Sequence, residues 1–362
     1  MRERLLELLR CPDCGGESFG MEVFRREGAV ILEGLLACQG CGRGGPILDG
    51  IPRLLPGALR EPVLARFPGF RRALPPPFTP RGPAGRMDAL ARTLRNYTED
   101  NEAGWFRTDP ATRRLYAQAS DYMRHPSGLG EYAGKLGLDA GCGFGKDLDR
   151  IARGSGAEMV GADLSGRIDV AAQATADLPH VHLMQADLYT LPLRQGRFGF
   201  VLSLGMLHHL PDPALGFRSL LPLLAPGGMI QIWVYKRGGE NLSVKAFQAV
   251  RSLTVSWPYA SHRAMGYVAG TGQWLCCTLP VRLLEGLGLS RLARRIPFYE
   301  NAPLGLRSVA MNWVDNFHVP VWHSHRREEI ASWFEAVALA RHELPDYGGE
   351  WMGHARGWAN SR

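Results

Sequence analysis

The chain has 362 residues, is 45% hydrophobic and 21% charged, and carries seven cysteines and a formal net charge of +7. That length admits two or more domains around a sizeable core, and no apolar run reaches the roughly eighteen residues of a membrane span. The opening "MRERLLELLRC" lacks the unbroken apolar stretch of a signal peptide. The odd cysteine number suits a reducing compartment better than a disulfide framework. A cytoplasmic location without membrane contact is the expectation.

The positive excess is unevenly placed. Residues 1–57 carry −1, while residues 58–108 and residues 238–325 each carry +4. Positive charge outside the motif-bearing regions fits an acidic or phosphorylated small substrate as well as it fits RNA.

Residues 1–57 read as a compact module ending in "GGPILDGIPRLLPG". Cys11 and Cys14 form one C-x-x-C pair, Cys38 and Cys41 a second, with 23 residues between the pairs. Two such knuckles supply four thiolates at tetrahedral corners, the donor set of a closed Zn²⁺ site, and Gly15, Gly16 and Gly42 let backbone NH groups turn toward sulfur. Four ligands leave no open position, so such a metal is structural, and a module this small needs the staple. A pair of redox dithiols is the alternative. "LLRCPDCGG" and "LLACQGCGRGGPILDGIPRLLP" resemble the short zinc-ribbon proteins that partner or are fused to methyltransferases. Gly45 stands where a tyrosine is usual, with Pro46, Ile47, Asp49, Gly50, Ile51 and Pro52 in place.

Residues 58–108 form an Arg- and Pro-rich linker in which "LPPPFTPRGPAG" reads as a non-helical connector. Tyr97 and Trp105 are candidates for a lid over a ligand or for local packing. Thr108 or Asp109, followed by Pro110, predicts a helix over "ATRRLYAQASDYM".

From Lys135 strands and helices alternate through "KLGLDAG", "LDRIA", "AEMVGADLS", "VHLMQADL", "FGFVLSLG", "PALGFRSLLPLLAPGG" and "MIQIWVY". This predicts an α/β fold with a doubly wound, mostly parallel sheet. The core runs over residues 109–237 and is completed by residues 326–362. Between them, residues 238–325 break the rhythm with helical, aromatic and basic segments and read as a capping insertion.

The stretch "LGLDAGCGFGKDLDRIA" ends an apolar strand in an acid and opens into three glycines. Gly141, Gly143 and Gly145 permit positive φ and close backbone approach, and the following helix aims its N-terminus at the same place. Asp139 adds a carboxylate that can accept from an ammonium group. A dinucleotide loop would need glycine at position 146, which is lysine, and a P-loop would need glycine at 140 and Ser or Thr at 147. Asp163 ends the next strand, where an acid can bind both ribose hydroxyls, and Asp187 ends the third, where it can accept from an adenine amino group. Singly, each acid could be a helix N-cap. Three at successive strand ends converge on one site.

"LDAGCGFG", "VGADLS", "QADLYTLP", "LGMLHHLPDP" and "LLAPGGMIQIWVY" together resemble the class I S-adenosylmethionine-dependent methyltransferases. The resemblance implies a seven-stranded Rossmann-like sheet. It also implies that Asp139, Gly141 and Gly143 hold the methionine end, Asp163 the ribose, and Asp187 with Leu188 the adenine. Cys142, Gly145, Leu164 and Ser203 complete the implied cofactor set. Gly199 departs from the family, which usually has an acid there.

His208 and His209 follow the fourth core strand, and either could serve as a base near neutral pH or merely pack. Tyr235, Asp315, His318 and His323 are acceptor-pocket candidates, with His325 beside them; a surface loop is the plainer reading. Cys276 and Cys277 read as core. The expected activity is methyl transfer from S-adenosylmethionine to a small metabolite or biosynthetic intermediate, at O, N or C. The alternatives are an RNA methyltransferase and a non-catalytic methyltransferase-like activator.

Overall fold

A computed structural model describes residues 1–80, 85–102, 128–237, 242–345 and 352–361. The helix expected over residues 111–123, and Trp105, lie outside the described residues. Strands β1 (Phe19–Glu27), β2 (Val30–Cys38), β3 (Gly44–Leu48) and β4 (Ile51–Leu54) come from the N-terminal module. The strands that follow are β5 (Leu136–Ala140), β6 (Glu158–Asp163), β7 (Val181–Ala186), β8 (Phe198–Leu204), β9 (Leu224–Tyr235), β10 (Leu339–Glu343) and β11 (Met352–Ala359). All belong to one sheet, in the order β1-β2-β3-β4-β7-β6-β5-β8-β9-β11-β10.

The seven strands from β7 to β10 are the expected Rossmann-like sheet. Its five central strands are parallel, and β11 and β10 close it antiparallel. Strands β5 to β8 are almost wholly buried because the crossover helices cover both faces. From β5 the chain winds outward through β6 to β7, then returns to place β8 on the other side of β5. That reversal makes the carboxyl edge between β5 and β8 the place where a ligand crevice opens. The helix Lys146–Ser155 shows how local sequence builds the frame. It starts after left-handed Gly145, buries Leu148, Ile151 and Ala152, and stops at left-handed Gly156, whose NH donates to Ala152 O.

The sheet does not end at β7. Strand β4 adds to it in parallel, with Arg53 opposite Gln185 and Leu54 opposite Ala186. The Arg53 side chain is fully buried, and its guanidinium donates to Asp169 Oδ1 at 2.6 Å and Gln185 Oε1 at 2.9 Å. Arg66 takes the other oxygen of Asp169 at 2.9 Å. Leu9 bridges Leu193, and Leu5, Leu8 and Leu9 share one apolar cluster with Leu193 and Leu220. The cysteine module is thus built into the core sheet.

Among the described residues the chain divides into two compact units. The first comprises Met1–Thr98, Ser120–Gly238 and Val321–Arg362; the second comprises Glu99–Ala119 and Gly239–Pro320. In the second, helices Tyr259–Gln273 and Leu306–His318 pack backbone to backbone. A Cβ on Gly266 would lie 2.3 Å from Val314 Cγ2, and one on Gly270 2.3 Å from Ala310 Cα. Among the described residues no helix is long and apolar enough to cross a membrane.

Candidate cofactor and catalytic site

The three loop glycines do different jobs. Gly141 has φ +88°, and a Cβ there would sit 2.1 Å from Met206 Cγ. Gly145 has φ +76° and is pressed against Ala171 of the next crossover helix. Gly143, at φ +50°, has nothing within 4 Å of where its Cβ would point, so the loop presents bare backbone on that side.

The acids stand at the ends of three adjacent parallel strands. Asp139 is the penultimate residue of β5, and its side chain is nearly fully buried. Asp163 ends β6, where Oδ2 accepts from Gly143 N at 2.8 Å and Oδ1 from Ser165 N at 2.8 Å and Ser165 Oγ at 2.7 Å. Its carboxylate therefore clamps the glycine loop and, with three of about four acceptor positions used, keeps one lone pair for a further donor. Asp187 follows β7 and caps a short 3₁₀ turn, accepting from Tyr189 N at 3.1 Å. Burial raises its pKa against the opposing pull of that NH and of Arg86. Cys142 sits in the loop with its thiol pushed far up by burial and by Asp139 and Asp163, which leaves it inert. Ser203 is a strap between strands, its Oγ donating to Ala140 O at 3.0 Å. Leu164 gives its carbonyl to Gln185 Nε2 at 2.8 Å, and Leu188 is buried at the start of the 3₁₀ turn.

Apart from Tyr97, a lid or packing candidate, sequence reasoning missed the contributions of the helix Arg86–Glu102. Arg86 pairs with Asp187 and lies 4.1 Å from the centre of the Tyr189 ring. Thr98 Oγ1 accepts from Gly166 N at 3.1 Å, just beyond Asp163. Tyr97 lies 6.1 Å from the His209 ring and under the Arg167 guanidinium. Only the helical spacing of Leu90 and Leu94 hinted that this stretch packs inward.

The two histidines separate sharply. His208 is fully buried, 4.0 Å from the Tyr235 ring and 4.1 Å from that of His209. Neither of its ring nitrogens has a hydrogen-bond partner among the described residues. Burial, with His209, His325 and His323 nearby, drives its pKa well below the usual histidine value. A base that weak is neutral at pH 7 and accepts a proton poorly. His209 is only partly buried, and its Nδ1 lies 2.9 Å from Val321 O. A carbonyl can only accept, so Nδ1 carries a proton, and in the neutral ring Nε2 is the basic nitrogen.

Tyr235 and His323 stay beside these rings. Tyr235 lies 5.5 Å from Trp322, and His323 N donates to His208 O at 2.9 Å. His325 holds Glu329 at 2.7 Å through Nδ1. Asp315 and His318 belong instead to the second unit, on the helix Leu306–His318. There the His318 and His262 Nδ1 atoms are 2.9 Å apart, and His262 donates through Nε2 to Thr254 O at 2.7 Å.

The four module cysteines converge as the spacing predicts. Their sulfurs all lie within 4.8 Å of one another, with Cys11–Cys41 at 3.6 Å and Cys14–Cys38 at 3.5 Å. Sulfurs on a tetrahedral zinc at about 2.3 Å stand about 3.8 Å apart, so the cluster fits the ion. Gly16 N donates to Cys14 Sγ, which with the partner thiols draws the Cys14 thiol down to about 7, while burial pushes Cys11 up to about 12. Cys276 is exposed and Cys277 partly exposed, so neither is core.

Residues 138–232 match a family model described as a methyltransferase domain. An O-methyltransferase of ubiquinone biosynthesis from Albidiferax ferrireducens is 36% identical over 107 residues, covering 28% of this chain and 40% of that protein. A malonyl-[acyl-carrier protein] O-methyltransferase from Pseudescherichia vulneris is 29% identical over 163 residues, covering 44% of this chain and 63% of that protein. The chain therefore spans less than two thirds of either curated relative. The crystal structure of a 1,6-didemethyltoxoflavin-N1-methyltransferase from Burkholderia thailandensis superposes with a TM-score of 0.42 at 16% identity, covering 78% of this chain and 92% of that one. The strand order is that of a Rossmann-like sheet, and residues 138–232 within it carry the match to a methyltransferase domain. An N-terminal four-cysteine module extends its sheet.

Proposed function

We propose that the whole chain is an S-adenosylmethionine-dependent methyltransferase for a small acceptor. The observation that carries this reading is the placement of Asp139, Asp163 and Asp187 at neighbouring strand ends around a left-handed glycine loop. Bound there, S-adenosylmethionine supplies a methyl group already activated on a sulfonium. Asp139 and the loop backbone hold the amino-acid end, Asp163 the ribose hydroxyls, and Asp187 with Leu188 the adenine. Cys142, Gly145, Leu164 and Ser203 shape and brace that cradle.

His209 then takes the proton from an acceptor hydroxyl or amine through Nε2, with Nδ1 held by Val321 O so that the ring stays in one tautomer and one orientation. Tyr235 packs its ring against Trp233 and Trp322 beside His208 and His209, an aromatic surround that suits a planar acceptor. Both curated relatives named above are O-methyltransferases, in agreement with an oxygen acceptor. His318 drops to a structural role in this reading, because it is engaged with His262.

RNA is the weaker partner. Residues 1–57 carry −1, and Arg53, Arg66 and Arg86 are held in ion pairs with Asp169 and Asp187. In the module, Cys11, Cys14, Cys38 and Cys41 would hold a structural zinc, which would contribute folding energy and no chemistry. The test is calorimetric titration with S-adenosylmethionine. Saturable binding by the wild type, weakened by Asp163→Ala, supports the assignment; absence of binding overturns it.

A further inference from the structure

The second unit carries an apolar surface that neither the cofactor site nor the cysteine module uses. Of the twelve large hydrophobic residues exposed among the described residues, all but Val23 belong to this unit. Four of them, Leu283, Leu287, Leu289 and Leu292, fall within ten consecutive residues. Leu283 is 60% exposed and Leu287 73% exposed. One turn apart, they occupy one face of the helix Leu279–Gly286 and its end. The chain then turns tightly, with Gly288 N donating to Glu285 O and Leu289 N to Leu284 O, and brings out Leu289 and Leu292 at about half exposure.

Charge around this patch is mainly positive. Across residues 282–299 there are four arginines and one acid. Arg291, Arg294 and Arg295 are exposed. The acid, Glu285, accepts from Ser290 Oγ at 2.7 Å and Tyr299 OH at 2.8 Å, so its charge serves to pin the turn. Arg282 is likewise tied down, donating to Ala302 O and Leu304 O. The turn is thus held in shape while its leucines face outward.

We propose that this turn is a monotopic anchor for an anionic lipid bilayer. Leu283, Leu287, Leu289 and Leu292 would enter the acyl boundary, and Arg291, Arg294 and Arg295 would meet the headgroups. Short amphipathic elements with leucines on one side and arginines at the rim bind such surfaces by apolar burial plus attraction to acidic lipid. A second copy of the chain is the poorer occupant, because two such rims would bring like charges together. The proposal needs no spanning helix, but it departs from the expectation of no membrane contact. It is also independent of whether the first unit binds S-adenosylmethionine.

The experiment is co-sedimentation of the full chain with vesicles of phosphatidylcholine alone, or with about one third phosphatidylglycerol, at about 0.1 M and about 0.5 M salt. The expected result is retention on the phosphatidylglycerol vesicles that falls at high salt. It should also fall about tenfold or more in Leu283→Glu/Leu287→Glu. Arg294→Glu/Arg295→Glu should abolish the preference for the acidic lipid. If the leucine pair fails to fold, Leu287→Glu alone makes the same test at a 73% exposed position. Equal retention of wild type and both variants, or no retention of the wild type on acidic vesicles, overturns the anchor. A wild type that light scattering finds dimeric and Leu287→Glu finds monomeric assigns the face to a second copy and overturns it as well.

Discussion

Arg86 and Asp187 form a buried ion pair, Nη2 to Oδ2 at 3.2 Å, with the two side chains only 2% and 1% exposed. One comes from the linker helix and the other from the end of β7, so the linker braces the carboxylate assigned to the adenine amino group. Removing the guanidinium leaves a carboxylate buried without its counter-charge. Arg86→Met should cost about 3 kcal/mol of stability. The loss should depend on pH in a stated sense. Burial raises the folded pKa of Asp187, so its folded state holds the proton more tightly than the unfolded chain. Its contribution is most favourable below the ordinary Asp range and is lost as pH rises through the raised value. The variant, lacking the opposing Arg86 charge, should lose more over that interval than the wild type, as read by urea unfolding across a pH series.

Asp163 joins three donors of the loop region to the proposed ribose site. Asp163→Ala should weaken S-adenosylmethionine binding by about 1.5–3 kcal/mol, the range for a hydrogen bond to a charged group. Titration calorimetry reads this directly, and unchanged affinity would remove the residue from the site.

Two glycines of one loop should respond differently to alanine. At Gly141 the added Cβ meets Met206 Cγ at 2.1 Å on top of a left-handed backbone, whereas at Gly143 it meets nothing within 4 Å. Gly143→Ala should cost about 1–2 kcal/mol from backbone strain alone. Gly141→Ala should cost more than that and displace Met206. Thermal unfolding of the two variants side by side decides the order.

His208 and His209 should separate in kinetics. His209→Ala should lower kcat about a hundredfold or more with little change in KM, as for loss of a general base. His208→Phe should retain most activity, because the buried ring makes no hydrogen bond to a described residue and is neutral at pH 7. Release of S-adenosylhomocysteine with the acceptor measures both.

Zinc should be felt beyond its own knuckles. Because β4 continues the core sheet through β7, chelation or Cys11→Ser should lower the unfolding midpoint of the whole first unit along with that of the module. Metal analysis should find one zinc per wild-type chain, and calorimetry should show one shifted transition for that unit.

Much of the site is legible in the chain because its chemistry is local. Doubled C-x-x-C pairs, glycines where a strand meets a helix, and acids at the ends of apolar runs each occupy a few consecutive residues, and their meaning follows from backbone geometry. The partners of Arg53 and Arg86 lie 116 and 101 residues further along the chain, and an arginine in a linker has the same local signature whether it faces water or a buried carboxylate. His208 and His209 are likewise equivalent as letters. Burial of one ring and a carbonyl 112 residues away from the other make them different acids. By itself, then, the sequence determined the sheet class, the cysteine cluster and the acid-lined loop, through spacing and periodicity. Only the tertiary structure decided that the cysteine module extends the core sheet, which histidine ring is buried, and which arginines are internal. Those outcomes depend on desolvation and long-range pairing, and neither is a property of any short stretch of chain.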